Sequence, residues 1–267
     1  MLPVGFDPEM SHELERLAAR AWPADEVHEV EGWLLRRTEG VDRRRSNSLL
    51  PPAEPAHAAR TVDLALATAE ELGMAPVLQV SPAEGHLLLD DALAQRGMAA
   101  SGSSLVLAGP AATARAGRTL AAPAPEAGAP VRDVRLQALD PGWVDAWAAV
   151  SGNGGTTETA DLVLSQLGDR ARFAVLREDG GSPLAIGIGV VEDGWLGIFS
   201  LATAVAARRR GLASAVMDAL EAWAATRDAH RVYLQVERDN DAALRFYGRR
   251  GFHVAHSYHY RSAGPRA

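Results

Sequence analysis

The chain has 267 residues, 47% hydrophobic and 23% charged, the balance of an ordinary globular protein with room for two modest domains. A net charge of −7 argues against a general nucleic-acid binder and accommodates a cationic or amine substrate. The cysteine count of 0 excludes disulfides, thiolate nucleophiles and cysteine-ligated metals. Every one of the 27 Lys+Arg residues is arginine. The opening "MLPVGFDPEMSHELERLAAR" has no basic region followed by an apolar one, and the longest apolar-plus-glycine run, Pro183 to Val191, is too short to span a bilayer. The expectation is a soluble, cytoplasmic chain with neither membrane nor nucleic acid as a partner.

In chain order, the first strand-like runs lie in "GWLLRRTEGVDRRRSNSLLP" and carry Trp33, Arg36, Arg45 and Asn47. These residues either shape an acceptor pocket or form the exposed face of a sheet, and the second is the expectation. Gly109 to Pro130, rich in Ala, Pro and Gly without hydrophobic periodicity, reads as a linker. It divides the chain into segments at 1–108 and 131–267. In the second, Val131–Leu139 reads as a strand, and Pro141–Val150 as a helix capped by Asp140. Thr156–Leu167 reads as a further helix. Strands follow at Arg172–Arg177, Leu184–Val191 and Trp195–Thr203, the last two joined by the turn Glu192-Asp193-Gly194. Leu212, Val216, Leu220 and Trp223 share one helix face. A strand at Arg231–Glu237, a helix near Asp241–Arg249 and a strand near His256–Arg261 complete a β-α-α-β-β-β-α-β-α-β order. That is a mixed α/β domain with a crossover helix.

A faint repeat links the segments. Val77-Leu-Gln-Val80 echoes Tyr233-Leu-Gln-Val236, and Arg96-Gly97-Met98 echoes Arg250-Gly251-Phe252, at offsets of 156 and 154 residues.

One feature calls for a ligand. "VAARRRGLASAV" places Arg208, Arg209 and Arg210 just ahead of Gly211, where the crossover helix begins. A helix N-terminus carries about half a positive charge, so cations there cost ~0.3–1 kcal/mol each. An anion bound to the arginines and the free helical amides would compensate.

Arg208-Arg-Arg-Gly-Leu-Ala213 resembles the Arg/Gln-x-x-Gly-x-Gly/Ala signature of the GNAT superfamily of acyl-CoA-dependent N-acyltransferases. It is not a Walker A loop, because no Gly-Lys-Ser/Thr follows. Asn240, Ala243, Phe246-Tyr247 and Gly251-Phe252 resemble the Asn-x-x-Ala-x-x-Leu-Tyr…Gly-Phe element of the same family, in the same order along the chain. The resemblance covers about 131–261, and the two-segment layout looks like a two-domain GNAT subfamily found in actinobacteria. It implies an α/β architecture of tandem GNAT-like domains, the C-terminal one complete, with a splayed mixed sheet and a crossover helix.

The resemblance also implies roles. Backbone groups of Leu201, Ala202 and Thr203 would line the pantetheine arm of acetyl-CoA and polarise its carbonyl. Arg208, Arg209, Arg210, Gly211, Leu212, Ala213 and Ser214 would hold the pyrophosphate. Asn240 would bond the pantetheine or nearby backbone, and Tyr247 would protonate the departing thiolate. No metal is implied, and His253, His256 and His259 read as surface histidines. Where many family members carry a glutamate base, this chain has Gln235, so Glu237, on the same strand face, is the substitute. A water relay or an acceptor that arrives neutral would need no base.

The first segment has no glycine between Gly40 and Gly73, and the repeat offsets set Leu93 against Tyr247 and Glu84 against Asn240. It reads as a degenerate copy that does not bind CoA. The function implied is transfer of acetyl from acetyl-CoA to a primary amine of a small molecule or protein, by direct attack in a ternary complex. The alternative is a non-catalytic acyl-CoA sensor. Acceptor identity, acyl length and oligomeric state are left open by the sequence.

Overall fold

The computed structural model describes residues 8–81, 85–111, 133–151, 156–178 and 181–263. Its helices are α1 (Pro8–Ala21), α2 (Pro55–Glu71), α3 (Leu87–Gln95), α4 (Pro141–Ser151), α5 (Thr157–Leu162), α6 (Leu212–Ala225) and α7 (Asp241–Arg249). Its strands are β1 (Glu26–Val30), β2 (Trp33–Arg37), β3 (Ser48–Leu50), β4 (Val77–Val80), β5 (Ala99–Pro110) and β6 (Val134–Gln137). They continue with β7 (Ala171–Arg177), β8 (Pro183–Glu192), β9 (Trp195–Thr203), β10 (Arg231–Glu237) and β11 (His253–Ser262). The order from β6 onward is the expected one. Two compact units emerge: Met1–Ala108 together with Gln235–Ala267, and Gly109–Leu234. The C-terminal segment from Gln235 thus packs with the first part of the chain. Most of the expected linker, from residue 112 onward, lies outside the described residues, while Gly109 and Pro110 belong to β5.

In the unit Gly109–Leu234 the strands run β10-β9-β8-β7-β6, antiparallel except for the parallel β9–β10 pair. Asp140 caps α4 through a 2.7 Å bond from the Trp143 N–H, and Trp143 is buried against Phe173 and Trp147. The β8–β9 turn holds Asp193 at φ 49° and Gly194 at φ 76°, the left-handed pair a two-residue hairpin requires. Alternate glycines in β8 admit the crossover helix. A Cβ on Gly187 would lie 2.8 Å from Val216, and one on Gly189 2.9 Å from Leu220, so only glycine lets α6 approach this closely. One helix is shorter than expected: α5 ends at Leu162, and Leu164–Arg170 continues as 3₁₀ turns broken at Gly168, whose φ of 52° and ψ of −136° leave helical space.

In the other unit the strands run β1-β2-β3-β4-β11-β5. Trp33, Leu35, Leu49, Leu78 and Val80 point to one face and bury against α2 and α3. Trp33 also donates to Thr61 Oγ1 at 2.8 Å. The opposite face carries Arg36, Ser48 and Gln79 beneath α1. Arg36 is 2% exposed and donates to Ser48 Oγ and Gln79 Oε1, while Gln79 donates to Glu15, which also meets His256. The expected exposed sheet face is therefore wrong for Trp33 and Arg36: the sheet is covered on both sides. Asn47 braces its own loop through Thr38, Val41 and Arg43. The surface reading also fails for His256, at 1% exposure, and for His259, half-buried beside Asp90.

The repeat has a structural counterpart. α3 and α7 lie 154 residues apart at both ends, as do the starts of β5 and β11. Both helices close alike: Met98 N–H bonds to Leu93 O with Gly97 at φ 75°, and Phe252 N–H bonds to Tyr247 O with Gly251 at φ 82°. By this register the cap matching Asn240 is His86, two residues on from the expected Glu84, which itself lies outside the described residues.

Candidate active site

In the unit Gly109–Leu234, β9 leads into the arginine loop. Its parallel register with β10 runs from Trp195 to Ile198 and ends there, while β9 continues to Thr203. Its antiparallel register with β8 slips in this stretch: Ile188 faces Phe199 but Ile186 faces Ala202, so Ser200 and Leu201 together oppose Gly187. Ser200 sits at φ 48°. This bulge bends the strand and re-aims its backbone groups. Leu201, Ala202 and Thr203, all half-buried, follow it directly.

The loop is built for close approach. Arg209 at φ 62° and Gly211 at φ 75° turn the backbone left-handed twice within three residues, the alternation that points successive N–H groups into a concavity. Gly211 caps α6 without a side-chain hydrogen bond. Arg208, Arg209 and Arg210 are exposed, and Arg208 Nε reaches back to Thr203 O at 3.5 Å. The first segment contrasts at the corresponding place. There α2 starts with Pro55 after Glu54, whose own carboxylate accepts from the Ala56 N–H at 3.1 Å. A helix start already closed by an acid does not invite a phosphate.

Glu237, Asn240 and Tyr247 belong to the other unit. Asn240 caps α7 through its Oδ1, which accepts from the Ala243 N–H at 3.1 Å. Tyr247 is buried, edge-on to Phe246 and Phe252 at 5.1 and 5.7 Å. Burial pushes its phenol up to about 12, with Arg250 acting slightly the other way. Glu237 is exposed at the end of β10. Gln235 is half-buried, and its Oε1 accepts a 3.3 Å bond from the Tyr258 hydroxyl. Tyr258 was missed from the sequence, although its alternation with Tyr260 along one strand face was available as a signal. No group of acids and histidines suited to a metal occurs among the described residues, and no helix there is long and apolar enough to cross a membrane.

A bulged strand, a loop left-handed at Arg209 and Gly211, and a crossover helix that starts at Gly211 without a side-chain cap follow one another on a mixed α/β sheet. Residues 141–252 match the model of the Acetyltransferase (GNAT) family. The "Uncharacterized N-acetyltransferase YobR" of Bacillus subtilis strain 168 is 26% identical over 250 residues, 93% of this chain and 96% of its own. A GCN5-related N-acetyltransferase from Kribbella flavida shares the fold with a TM-score of 0.66 at 17% identity, covering 94% of this chain and 96% of its own. A tandem GNAT protein from the clavulanic acid biosynthesis pathway does so with a TM-score of 0.62 at 11% identity, covering 95% and 89%. Residues 141–252 thus form a GNAT-type segment, and the family match together with the N-acetyltransferase relatives supports an acyl-CoA N-acyltransferase enzyme.

Proposed function

We propose that the chain transfers an acetyl group from acetyl-CoA to a primary amine of a small molecule or protein, by direct attack in a ternary complex. The observation that carries this reading is the bulged end of β9 running into the left-handed loop Arg209–Gly211 and the uncapped start of α6. Leu201, Ala202 and Thr203 extend past the β10 ladder, where strand backbone is available to the pantetheine amides and to the thioester carbonyl. Arg208 to Ser214 receive the pyrophosphate, which settles the unfavourable placement of three cations at a helix start.

The amine nitrogen attacks the carbonyl carbon, a C–N bond forms, the C–S bond breaks and CoA leaves as a thiolate. Tyr247 delivers the proton to that thiolate. Its phenol, held near 12, is fully protonated at neutral pH. The same dry surroundings disfavour the thiolate as an anion, which brings its proton affinity closer to that of the phenol. The proton lost by the amine passes to Glu237 or to water. Asn240 holds the start of α7 and thereby sets Tyr247 one helix length along.

We propose residues 131–267 as the functional GNAT segment, the part of 109–130 beyond the end of β5 at Pro110 as its linker, and 1–108 as a copy whose helix start, closed by Glu54, no longer binds CoA. The cytoplasm is the proposed location, where a cysteine-free chain forgoes nothing. The test is acetyl-CoA titration of the full chain, followed by thiol release against an amine panel. Binding without thiol release for any amine defeats the enzyme reading and leaves an acyl-CoA sensor.

A further inference from the structure

The unit that contains β5 and β11 holds a second concentration of arginine and tyrosine, outside the residues assigned above. β5 is bulged there: Ser104 pairs with Tyr258 and Ser101 with Tyr260, leaving Gly102 and Ser103 together opposite His259. Gly102 adopts φ 65°, and a Cβ on it would lie 2.8 Å from Arg44 Nη1. A side chain at 102 would crowd Arg44, which lies with Nη1 donating to Ser101 Oγ at 3.0 Å and the guanidinium 5.4 Å above the Tyr260 ring. Ser103 holds a second guanidinium: Arg238 Nε donates to its Oγ at 2.9 Å, and the Arg238 N–H to its carbonyl at 3.1 Å. Both arginines are exposed, and their hydrogen bonds go to neutral groups. The two serines flank Gly102, so no more than about 7 Å of backbone separates them.

Gln235 faces the same cluster. The Tyr258 hydroxyl, 5.6 Å in ring separation from Tyr260, occupies its amide oxygen. Its amide N–H groups are the donors Gln235 offers a ligand. A glutamate at this position would attract an ammonium ion, and this amide instead suits an oxygen acceptor. The nearby acids are Glu15, buried against Gln79 and His256, and Glu237 and Asp239, exposed on either side of Arg238 at the strand end.

We propose that Arg44, Arg238 and the Gln235 amide, arranged around Tyr258 and Tyr260, receive a carboxylate, so that the acceptor is a small amine that also carries an acid, of the amino-acid class. The proposal rests on the acetyltransferase reading of the same chain and narrows it. The overall charge of −7 pointed to a cationic acceptor, but a sum over the whole surface does not set the potential at one cluster.

The experiment is calorimetric titration of the full chain with N-acetyl amino acids and with their carboxamides, pairs that differ only in the charge. These products need no turnover to bind. At least one acid should bind tenfold or more tightly than its amide. Arg44→Ala and Arg238→Ala should each weaken it about ten- to hundredfold, as expected for losing a hydrogen bond to a charged group. Arg44→Lys should restore part of the loss, and Gly102→Ala should weaken binding while keeping every charge, with thermal unfolding verifying that each variant is folded. Equal binding of acids and amides, binding of no acid in the panel, or variants that match wild type would overturn the proposal. Acetyl-CoA titrated separately tests the broader reading: if carboxylate binds and acetyl-CoA does not, the acetyltransferase reading fails and the carboxylate site stands.

Discussion

Replacing Gly211 by aspartate tests the phosphate cradle most directly. Gly211 lies at φ 75°, ψ 13°, immediately before the first residue of α6. A side chain there adopts left-handed backbone at a cost of roughly 1–2 kcal/mol, less for aspartate than for branched residues. That strain weighs on folding, and Gly211→Ala measures it alone. The carboxylate adds repulsion toward a pyrophosphate resting on the loop. Unit charges about 4 Å apart near a protein surface interact by roughly 4 kcal/mol, and solvent access reduces this to about 2–4 kcal/mol. Acetyl-CoA affinity should therefore fall about 30- to 1,000-fold. Arg177→Asp, which makes a larger change in net charge at an exposed strand end in the same unit, should change affinity less than about threefold, because exposed charges beyond a Debye length are largely screened. Calorimetric titration with acetyl-CoA reads all three variants. Equal losses for Gly211→Asp and Arg177→Asp would refute the cradle and indicate a diffuse electrostatic site.

Tyr247→Phe should lower kcat by about 10²–10⁴-fold with little change in acetyl-CoA affinity; full activity across the pH range would make the tyrosine structural. Burial raises the folded phenol from its ordinary value near 10 to about 12, so its contribution to stability is complete below pH 10 and is lost as pH rises through 12, as urea unfolding at stepped pH will read. Glu237→Gln should have a smaller effect that shrinks as pH rises and the amine arrives neutral; an undiminished loss at high pH would implicate Glu237 in something other than deprotonation. Titration of the full chain should find one acetyl-CoA site, and two would show that the Glu54-capped helix of the first segment still binds CoA. Asp90 is held below the ordinary carboxylate range, chiefly by two hydrogen bonds from Arg261 and also by His259. Asp90→Asn should therefore cost about 1.5–3 kcal/mol at neutral pH. The difference from wild type should fade as pH falls below about 4 through the depressed folded value, and a difference constant with pH would refute the ion-pair origin.

The elements after residue 133 were legible because their signals are local. Asp140 before Pro141, the Asp193-Gly194 turn, the helix face Leu212–Leu220 and the Gly251-Phe252 stop each act within a few residues, and each stands where its pattern placed it. The arginine loop was legible for the same reason, since three cations beside a glycine conflict with the helix dipole whatever surrounds them. Two things were not local. Gly102 reads as a small residue until Arg44, far away in sequence, is seen to occupy the space of its missing Cβ, and Gln235 reads as a lost base until Tyr258 is found on its oxygen. Burial of Arg36 and His256 depends likewise on α1, whose Glu15 reaches His256 directly and Arg36 through Gln79. Even the grouping of β11 with β4 and β5 follows from ladder hydrogen bonds between distant segments. Periodicity and capping report what a residue does to its neighbours along the chain; which distant backbone or side chain satisfies it is settled only when the folded chain closes.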